Sequence, residues 1–251
     1  MIPSNYHTHT SYCHGADEPE TLIREAMRLG CPEIGFSSHS FTSFDDSYCM
    51  SREVTEQYRA RINELKQKYA GKIKILLGIE QDFYSDDAAE GYDFVIGSIH
   101  YVKKDGEYLS LDESREKQIE FAQKYYGGDI YALVEHYFET VAEVYDKTHC
   151  DIIGHFDLIT KFNEDGSLFD TASPRYRAAA LAALDKLCAS PAKFEINTGA
   201  IARGYRTTPY PDDFIIAELK ARDKEIIFSS DCHCVDQLLF GYDLYLQAIN
   251  K

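Results

Sequence analysis

The sequence predicts an α/β protein in which seven β/α units close into a barrel, with a metal centre at the mouth formed by the carboxyl ends of the strands. Seven apolar or β-branched runs recur along the 251 residues, each followed by a loop and a helical pattern. No linker, low-complexity tract or internal repeat divides the chain, so we expect one domain over residues 1–251. Residue types that bind metals end several of the runs, which favours a closed barrel over an open, doubly wound sheet.

The predicted strands are short, and several are apolar on both faces, as expected for parallel strands covered by helices. They span residues 2–7, 33–37, 73–80, 94–100, 151–155, 193–197 and 226–230. Six polar residues come at the carboxyl ends of such strands: His39, Glu80, His100, His155, Asn197 and Asp231. In a barrel those ends meet at one mouth, whereas in an open sheet they would spread along an edge.

Amphipathic segments lie between the strands. In residues 17–29, Asp17 and Glu20 have the spacing of a capping box, and the following glycine suits the helix end. Ser173 and Pro174 have the pattern of an N-cap and first-turn proline for an Ala-rich helix that ends near residue 189. The other predicted helices span residues 51–69, 114–126, 129–147, 212–223 and 235–250.

The composition restricts the partners and the compartment. The net charge is -16, from 26 basic and 42 acidic residues, and such a field repels nucleic acid phosphates and anionic membranes. The seven cysteines are scattered, and the chain shows neither a leader peptide nor a run long enough to span a bilayer. We therefore expect a cytoplasmic protein with free thiols, a monomer or homodimer, that binds neither nucleic acid nor membranes.

Seven of the nine histidines and two carboxylates are the candidate metal ligands: His7, His9, His14, His39, Glu80, His100, His155, Asp231 and His233. Residues two apart on a strand point to the same face, so His7 and His9 can share an ion. Glu80 ends an apolar run, where a lone carboxylate is costly to bury without a cation, and it is the best bridging candidate. Nine ligands suggest three divalent ions, and imidazole with carboxylate ligation fits Zn, Mn or Fe. Such a pocket attracts an oxyanion such as phosphate.

Structural roles compete with these assignments. A single histidine at a strand end, such as His39, is as readily a hydrogen-bonded structural residue as a ligand, so the joint set of nine carries the prediction. We interpret His136 and His149 as solvated or structural. Cys13 and Cys232 neighbour proposed ligands, but on a strand they would point away from them, and we expect both to pack in the core.

The sequence around these residues resembles that of the polymerase-and-histidinol-phosphatase (PHP) superfamily. The clusters that match are NYHTHTSYCHG, GFSSHS, GIEQDF, YDFVIGSIHYV, DIIGHFDL and FSSDCHC. Within the superfamily, FVIGSIHYV, EHYFETV, GHFDL and NTGAIARGYRTTPYP are similar to the monofunctional histidinol-phosphate phosphatases. This resemblance implies a distorted (β/α)7, TIM-like barrel with a trinuclear centre. It also implies hydrolysis of L-histidinol phosphate to L-histidinol and phosphate in histidine biosynthesis.

The resemblance assigns ligands to three ions: His7, His9, Glu80 and Asp231 to one, Glu80, His100 and His155 to a second, and His14, His39 and His233 to the third. In the mechanism that follows, a hydroxide bridging the ions that share Glu80 attacks phosphorus in line. Metal coordination of the ester oxygen, or a proton from water held near Asp231 or His233, assists departure of the alcohol.

Four residues are candidate contacts for the substrate. Arg203 matches the phosphate-gripping arginine of the family, and Arg206 is a second candidate. Similar phosphatases often place an arginine after GHFDL, whereas this chain has Lys161 nearby, which offers a point charge without a bidentate grip. Tyr101 is a candidate for stacking. Beyond these four, Asp157 is a further candidate for contact with the imidazole or amine of histidinol.

Two other functions remain open on the sequence alone. A PHP-type enzyme can act on another phosphoester, such as a nucleotide, an oligonucleotide end or a phosphotyrosine. The charge of -16 disfavours a nucleic acid substrate, and pocket depth would decide the case of phosphotyrosine. The protein could also be a non-catalytic metal-binding module, which could lose the site that holds the reactive water. All nine ligands and Arg203 are present here, which favours an active enzyme.

Overall fold

The parallel sheet at the centre of the protein is seen in a computed structural model that describes residues 3–250. The strands of this part of the chain are β1 (Glu33–Phe36), β2 (Lys74–Asp82), β3 (Phe94–Ser98), β4 (Tyr101–Lys104), β5 (Glu107–Ser110), β6 (Ile152–Ile153), β7 (Lys193–Asn197) and β8 (Ile226–Ser229). Six of them form a parallel sheet in the order β1-β2-β3-β6-β7-β8, and β4 pairs antiparallel with β5. The carboxyl ends of the six parallel strands therefore lie on one side.

The two edges of this sheet are joined by the amino-terminal segment. Asn5 forms a parallel bridge with Ile34 of β1, and Thr8 forms one with Cys232, which follows β8. The segment passes from one edge to the other within a few residues, so neither bridge extends into a ladder. The predicted strand 2–7 is thus two isolated bridges, and residue 2 lies outside the described residues. The predicted α/β barrel class is confirmed, with six regular strands and one bridging segment.

The helices of residues 3–250 are α1 (Pro19–Leu29), α2 (Arg52–Lys68), α3 (Arg115–Tyr125), α4 (Ile130–Ala142), α5 (Val144–Thr148), α6 (Pro174–Cys188), α7 (Gly199–Ala202), α8 (Asp213–Ala221) and α9 (Tyr242–Asn250). Five begin at a side chain that accepts a backbone hydrogen bond from the first turn, namely Ser51, Ser114, Asp129, Ser173 and Asp212. These caps satisfy donors that the first turn leaves open. None of the helices described is both long enough and apolar enough to cross a bilayer.

Three of the predicted helices differ in the structure. Asp17 does not form the expected capping box, because its Oδ2 accepts a hydrogen bond from Val235 N at 2.7 Å. The predicted helix 129–147 divides at Glu143 into α4 and α5. The last predicted helix becomes a 3-10 turn followed by α9, since Gly241 has a φ of 73° between them.

A hairpin that the sequence analysis missed stands at the carboxyl end of β3. It consists of β4 and β5, joined by Asp105 and Gly106, whose φ angles are 52° and 87°. Two positive φ values are what a tight two-residue hairpin turn requires. Leu111 N donates to His100 O at 2.9 Å, which holds the base of the hairpin at the mouth of the barrel.

Apolar side chains pack on both faces of the sheet. The main core lies between the sheet and the helices. A smaller cluster on the other face joins Phe94, Ile96 and Ile152, with Tyr6, Leu76 and Ile227 packed against it. Gly78 makes room for this inner cluster, because a Cβ there would clash with the Phe94 ring.

Candidate metal centre

The carboxylate of Glu80, in β2, has imidazoles on both of its oxygens. Oε2 faces three ring nitrogens: His39 Nδ1 at 2.9 Å, His7 Nε2 at 3.2 Å and His9 Nε2 at 3.4 Å. Oε1 faces two more: His155 Nε2 at 3.1 Å and His100 Nε2 at 3.4 Å. The side chain is 1% exposed. Glu80 is therefore placed between two groups of imidazoles, as a bridging carboxylate would be.

Asp231 is the second carboxylate at the mouth and follows β8. Its Oδ1 lies 3.1 Å from His9 Nε2 and 3.6 Å from His7 Nε2. Its Oδ2 lies 3.1 Å from Arg203 Nη2. The backbone of Asp231 has a φ of 46°, a conformation that is uncommon for residues other than glycine and that recurs at functional sites.

The rings of His14 and His233 complete the cluster beside His9 and His39. Ring centroids are 4.2 Å apart for His9 and His233, 4.3 Å for His14 and His233, and 4.9 Å for His14 and His39. Among the described residues, four groups bring ligand atoms within 4.8 Å of one another: His9, His39 and His233; His7, Glu80 and His155; His7, His9 and Asp231; His39, Glu80 and His100. The structure thus brings all nine predicted ligands together, with His14 next to these groups and outside them.

Two buried carboxylates that the sequence analysis did not single out hold the imidazoles from behind. Glu195 of β7 lies 3.0 Å from His7 Nδ1, and Asp82 of β2 lies 3.0 Å from His100 Nδ1. Such partners fix the tautomer, so that Nε2 of each ring presents its lone pair to the centre. A signal for Glu195 existed in the sequence, since it is a charged residue within an apolar strand.

The electrostatics of three members of the cluster, His9, His39 and Glu80, favour cation binding. Burial lowers the pKa of His9, and the neighbouring His233 lowers it further, to well below its usual value. Burial likewise lowers the pKa of His39 to about 4. Burial would raise the pKa of Glu80, but the adjacent imidazoles, led by His39, outweigh it and hold this pKa well below the usual range. At neutral pH His9 and His39 therefore offer lone pairs, and Glu80 offers negative charge.

Several buried polar atoms of the cluster make no hydrogen bond of suitable geometry among the described residues. They are His155 Nδ1 and three atoms that only face one another, His7 Nε2, His39 Nδ1 and Glu80 Oε2. Unpaired buried polar atoms cost free energy, and they are rare unless a ligand, water or ion satisfies them. Imidazole nitrogens and carboxylate oxygens are also the donor set that Zn, Mn and Fe accept. The residues present therefore fit divalent metal ions.

A cavity of about 530 Å³ lies over the cluster, and its lining contains side chains of both charges. Arg203 and Lys161 line one part of it, and Lys161 Nζ lies 4.5 Å from the centroid of the Tyr205 ring. Tyr101 also lines the cavity and donates a hydrogen bond to Asp45 Oδ2 at 2.6 Å. Besides Glu80 and Asp231 of the cluster, the acidic side chains in the lining are Asp45, Asp112 and Glu113. The structure thus brings Arg203, Lys161 and Tyr101 to the predicted site.

Two other candidate contacts lie outside the cavity lining. Arg206 is buried, and its Nη1 donates to Thr160 O at 2.9 Å and to Thr160 Oγ1 at 2.7 Å. Its guanidinium lies 4.7 Å from the centroid of the Tyr210 ring. Asp157 is fully buried and accepts a hydrogen bond from Asp212 N at 2.9 Å. The expectation that Arg206 grips phosphate is therefore corrected, because its donors are used to hold loops together.

Curated relatives resemble this chain over nearly its whole length. A histidinol-phosphatase of Bacillus subtilis (strain 168) is 26% identical, with 96% of this chain and 97% of that protein covered. A histidinol-phosphatase of Lactococcus lactis subsp. lactis (strain IL1403) is also 26% identical, over 93% of this chain and 85% of that protein.

Solved structures share the fold. A Listeria monocytogenes protein assigned as a histidinol phosphatase superposes with a TM-score of 0.79 at 22% identity, covering 96% of this chain and 99% of that chain. The histidinol phosphate phosphatase of L. lactis subsp. lactis was solved in complex with zinc, L-histidinol and phosphate. It superposes with a TM-score of 0.70 at 18% identity, covering 99% of this chain and 93% of that chain. The model of the PHP domain family matches residues 5–199, and with this match the chain belongs to the PHP domain family.

Proposed function

We propose that this protein is a metal-dependent phosphatase that hydrolyses L-histidinol phosphate to L-histidinol and phosphate. The observation that carries the proposal is the position of Glu80, whose two oxygens each face imidazoles on the floor of a cavity that Arg203 also lines. A bridging carboxylate beside a cationic side chain suits the cleavage of a phosphate ester. The histidinol-phosphatases among the relatives and the L. lactis complex with histidinol and phosphate support this choice of substrate.

We assign three divalent ions, drawn from Zn, Mn and Fe, to the nine ligands. The assignment places His7, His9, Glu80 and Asp231 on one ion, Glu80, His100 and His155 on another, and His14, His39 and His233 on the third. Bound ions of this kind supply activated water and neutralise phosphate charge. The contacts of both Glu80 oxygens and the unpaired nitrogens of His7 and His39 support it.

The protein's own residues have distinct roles in this reaction. Arg203 presents its guanidinium at the cavity wall and is held there by Asp231, whose main-chain oxygen accepts from Arg203 Nη1 at 3.0 Å. A planar guanidinium in this place suits two phosphoryl oxygens. Lys161 adds a second cationic side chain to the lining, with its Nζ 3.5 Å from Asp112 Oδ2. His233 Nδ1 lies 2.6 Å from Arg203 Nη1. A water held near Asp231 or His233 would give a proton to the departing alcohol.

The mixed charge of the cavity lining suits an amino alcohol as the leaving group. L-Histidinol phosphate carries an ammonium group near its phosphate, and the lining contains acidic Asp112 and Glu113 as well as cationic Arg203 and Lys161, with Lys161 Nζ 3.5 Å from Asp112 Oδ2. Charges of both signs in one cavity suit a zwitterionic ester better than a nucleotide, whose net negative charge the acidic side chains repel. Tyr101 lines the cavity, and we assign it to stacking on the imidazole.

We further propose that this single-domain enzyme works in the cytoplasm, as a monomer or homodimer, and has no nucleic acid partner. All seven of its cysteines are free thiols, which suits a reducing compartment.

The test is phosphate release by purified protein of known metal content. L-Histidinol phosphate is compared with p-nitrophenyl phosphate, phosphotyrosine and nucleoside monophosphates. We expect a large preference in kcat/KM for histidinol phosphate, lost on chelation and restored by added metal. A preference for another ester would reassign the substrate, and full activity after complete removal of metal would refute the proposal.

A further inference from the structure

One tyrosine that lines the cavity has no role in the proposed reaction. Tyr210 lines the cavity together with His155 and Arg203. The residue is 1% exposed, and its hydroxyl is buried without a hydrogen-bond partner among the described residues. An unpaired buried hydroxyl costs free energy, so its retention beside a ligand cavity calls for a partner that arrives with the ligand.

Contacts to the backbone and to the ring hold Tyr210 in one position. Its hydroxyl oxygen therefore cannot move to another partner. Tyr210 N donates to Asn197 O at 2.9 Å, and Asn197 N donates to Tyr210 O at 2.8 Å, so the residue is fixed to the end of β7. The Arg206 guanidinium covers the ring, and Arg206 is itself anchored to Thr160. The His155 ring meets the Tyr210 ring edge to face, with centroids 6.4 Å apart. The buried Arg206 thus positions Tyr210.

The chemistry of this hydroxyl suits an anionic ligand. A phenol with a pKa of about 10 keeps its proton at neutral pH and can donate a hydrogen bond. Arg203, the candidate phosphate ligand, lines the same cavity. Hydrogen bonds to charged oxygens are also stronger than those between neutral groups.

We propose that Tyr210 is a further substrate-contacting residue, whose hydroxyl donates a hydrogen bond to a phosphoryl oxygen of the bound ester. The inference rests on the proposed phosphatase function. It extends the phosphate site from Arg203 and Lys161 to a neutral donor on the loop after β7, and it gives Arg206 a role as the residue that positions this donor.

The substitution Tyr210→Phe removes the hydroxyl alone, and Tyr176→Phe is its matched control. Tyr176 is also fully buried with an unpartnered hydroxyl, but it packs against Phe138 and Phe214 away from the cavity. We measure kcat/KM for L-histidinol phosphate and the inhibition constant of inorganic phosphate, with metal content and thermal unfolding as checks. For Tyr210→Phe we expect kcat/KM to fall about 10- to 100-fold and phosphate inhibition to weaken, as for a lost hydrogen bond to a charged group.

Tyr176→Phe should leave both kinetic quantities unchanged. The inference is overturned if Tyr210→Phe, with full metal content, keeps the wild-type inhibition constant for phosphate, whether or not kcat changes. Failure of the proposed function is seen separately, because wild-type protein would then release no phosphate from histidinol phosphate. Binding of inorganic phosphate to the two variants, measured by calorimetry, would still test Tyr210 in that case.

Discussion

Glu195, the buried carboxylate behind His7, allows a prediction that follows from hydrogen-bond geometry. Its Oε1 accepts from His155 N at 2.7 Å and from Asn197 Nδ2 at 2.8 Å. Its Oε2 lies 3.0 Å from His7 Nδ1. In Glu195→Gln the amide oxygen is expected to keep the two contacts of Oε1, so that the amide NH2 faces His7 Nδ1.

The amide NH2 and a protonated Nδ1 would both be donors in this contact, which cannot then form a hydrogen bond. His7 is therefore expected to carry its proton on Nε2. That nitrogen points at Glu80 Oε2, 3.2 Å away, and a protonated nitrogen cannot ligate a metal. Loss of such an outer partner typically costs about 10- to 100-fold in metal affinity, or about 1.4 to 2.8 kcal/mol. Metal bound to Glu195→Gln should therefore be released at lower chelator concentrations than metal bound to wild type.

The assay is metal content by elemental analysis after dialysis against a graded series of chelator concentrations. Glu225→Gln is the control, since Glu225 is an exposed carboxylate that pairs with Lys193 far from the cluster. We expect this control to follow wild type. If Glu195→Gln retained its metal at the same chelator concentrations as wild type, the reasoning about the His7 tautomer would be refuted.

Three further predictions concern the centre, the surface and the inner core. Glu80→Gln should abolish turnover with the fold retained, since it removes the charge that both imidazole groups face; full activity in a metal-verified variant would exclude the bridging role. Hydrogen bonds, chiefly from Lys68, lower the pKa of Glu20 to about 2. Because this lies below the unfolded value of about 4.3, these contacts stabilise the fold above that pH and are lost as the pH falls towards 2. In urea unfolding, the deficit of Glu20→Gln should shrink between about pH 6 and about pH 3, and a constant deficit would contradict this. Gly78→Ala should destabilise the fold by about 1 to 3 kcal/mol, because the new Cβ meets the Phe94 ring; unchanged thermal unfolding would show that the ring can move aside.

The sequence by itself determined the class of fold and which histidines and carboxylates lie together at the mouth. Parallel strands must be apolar on both faces, so a histidine or carboxylate that ends such a run is conspicuous, and the chain direction puts it at the mouth. Residues two apart on a strand share a face, which identified His7 with His9. Helix starts were equally local, because a capping side chain such as Ser51 or Ser173 contacts its own first turn.

Only the tertiary structure decided which residues stand behind and around the cluster. The register of β6 on β7 pairs Ile153 with Phe194. This register brings the Glu195 carboxylate next to His155 and His7. Such a contact between strands cannot be read from spacing along the chain. Arg203 and Arg206 are three residues apart, yet one lines the cavity and the other anchors a loop at Thr160. Spacing along one strand or helix determines which side chains share a face of that element. Contacts between elements depend on the register of the strands and on the course of the loops, and both are set by the whole barrel.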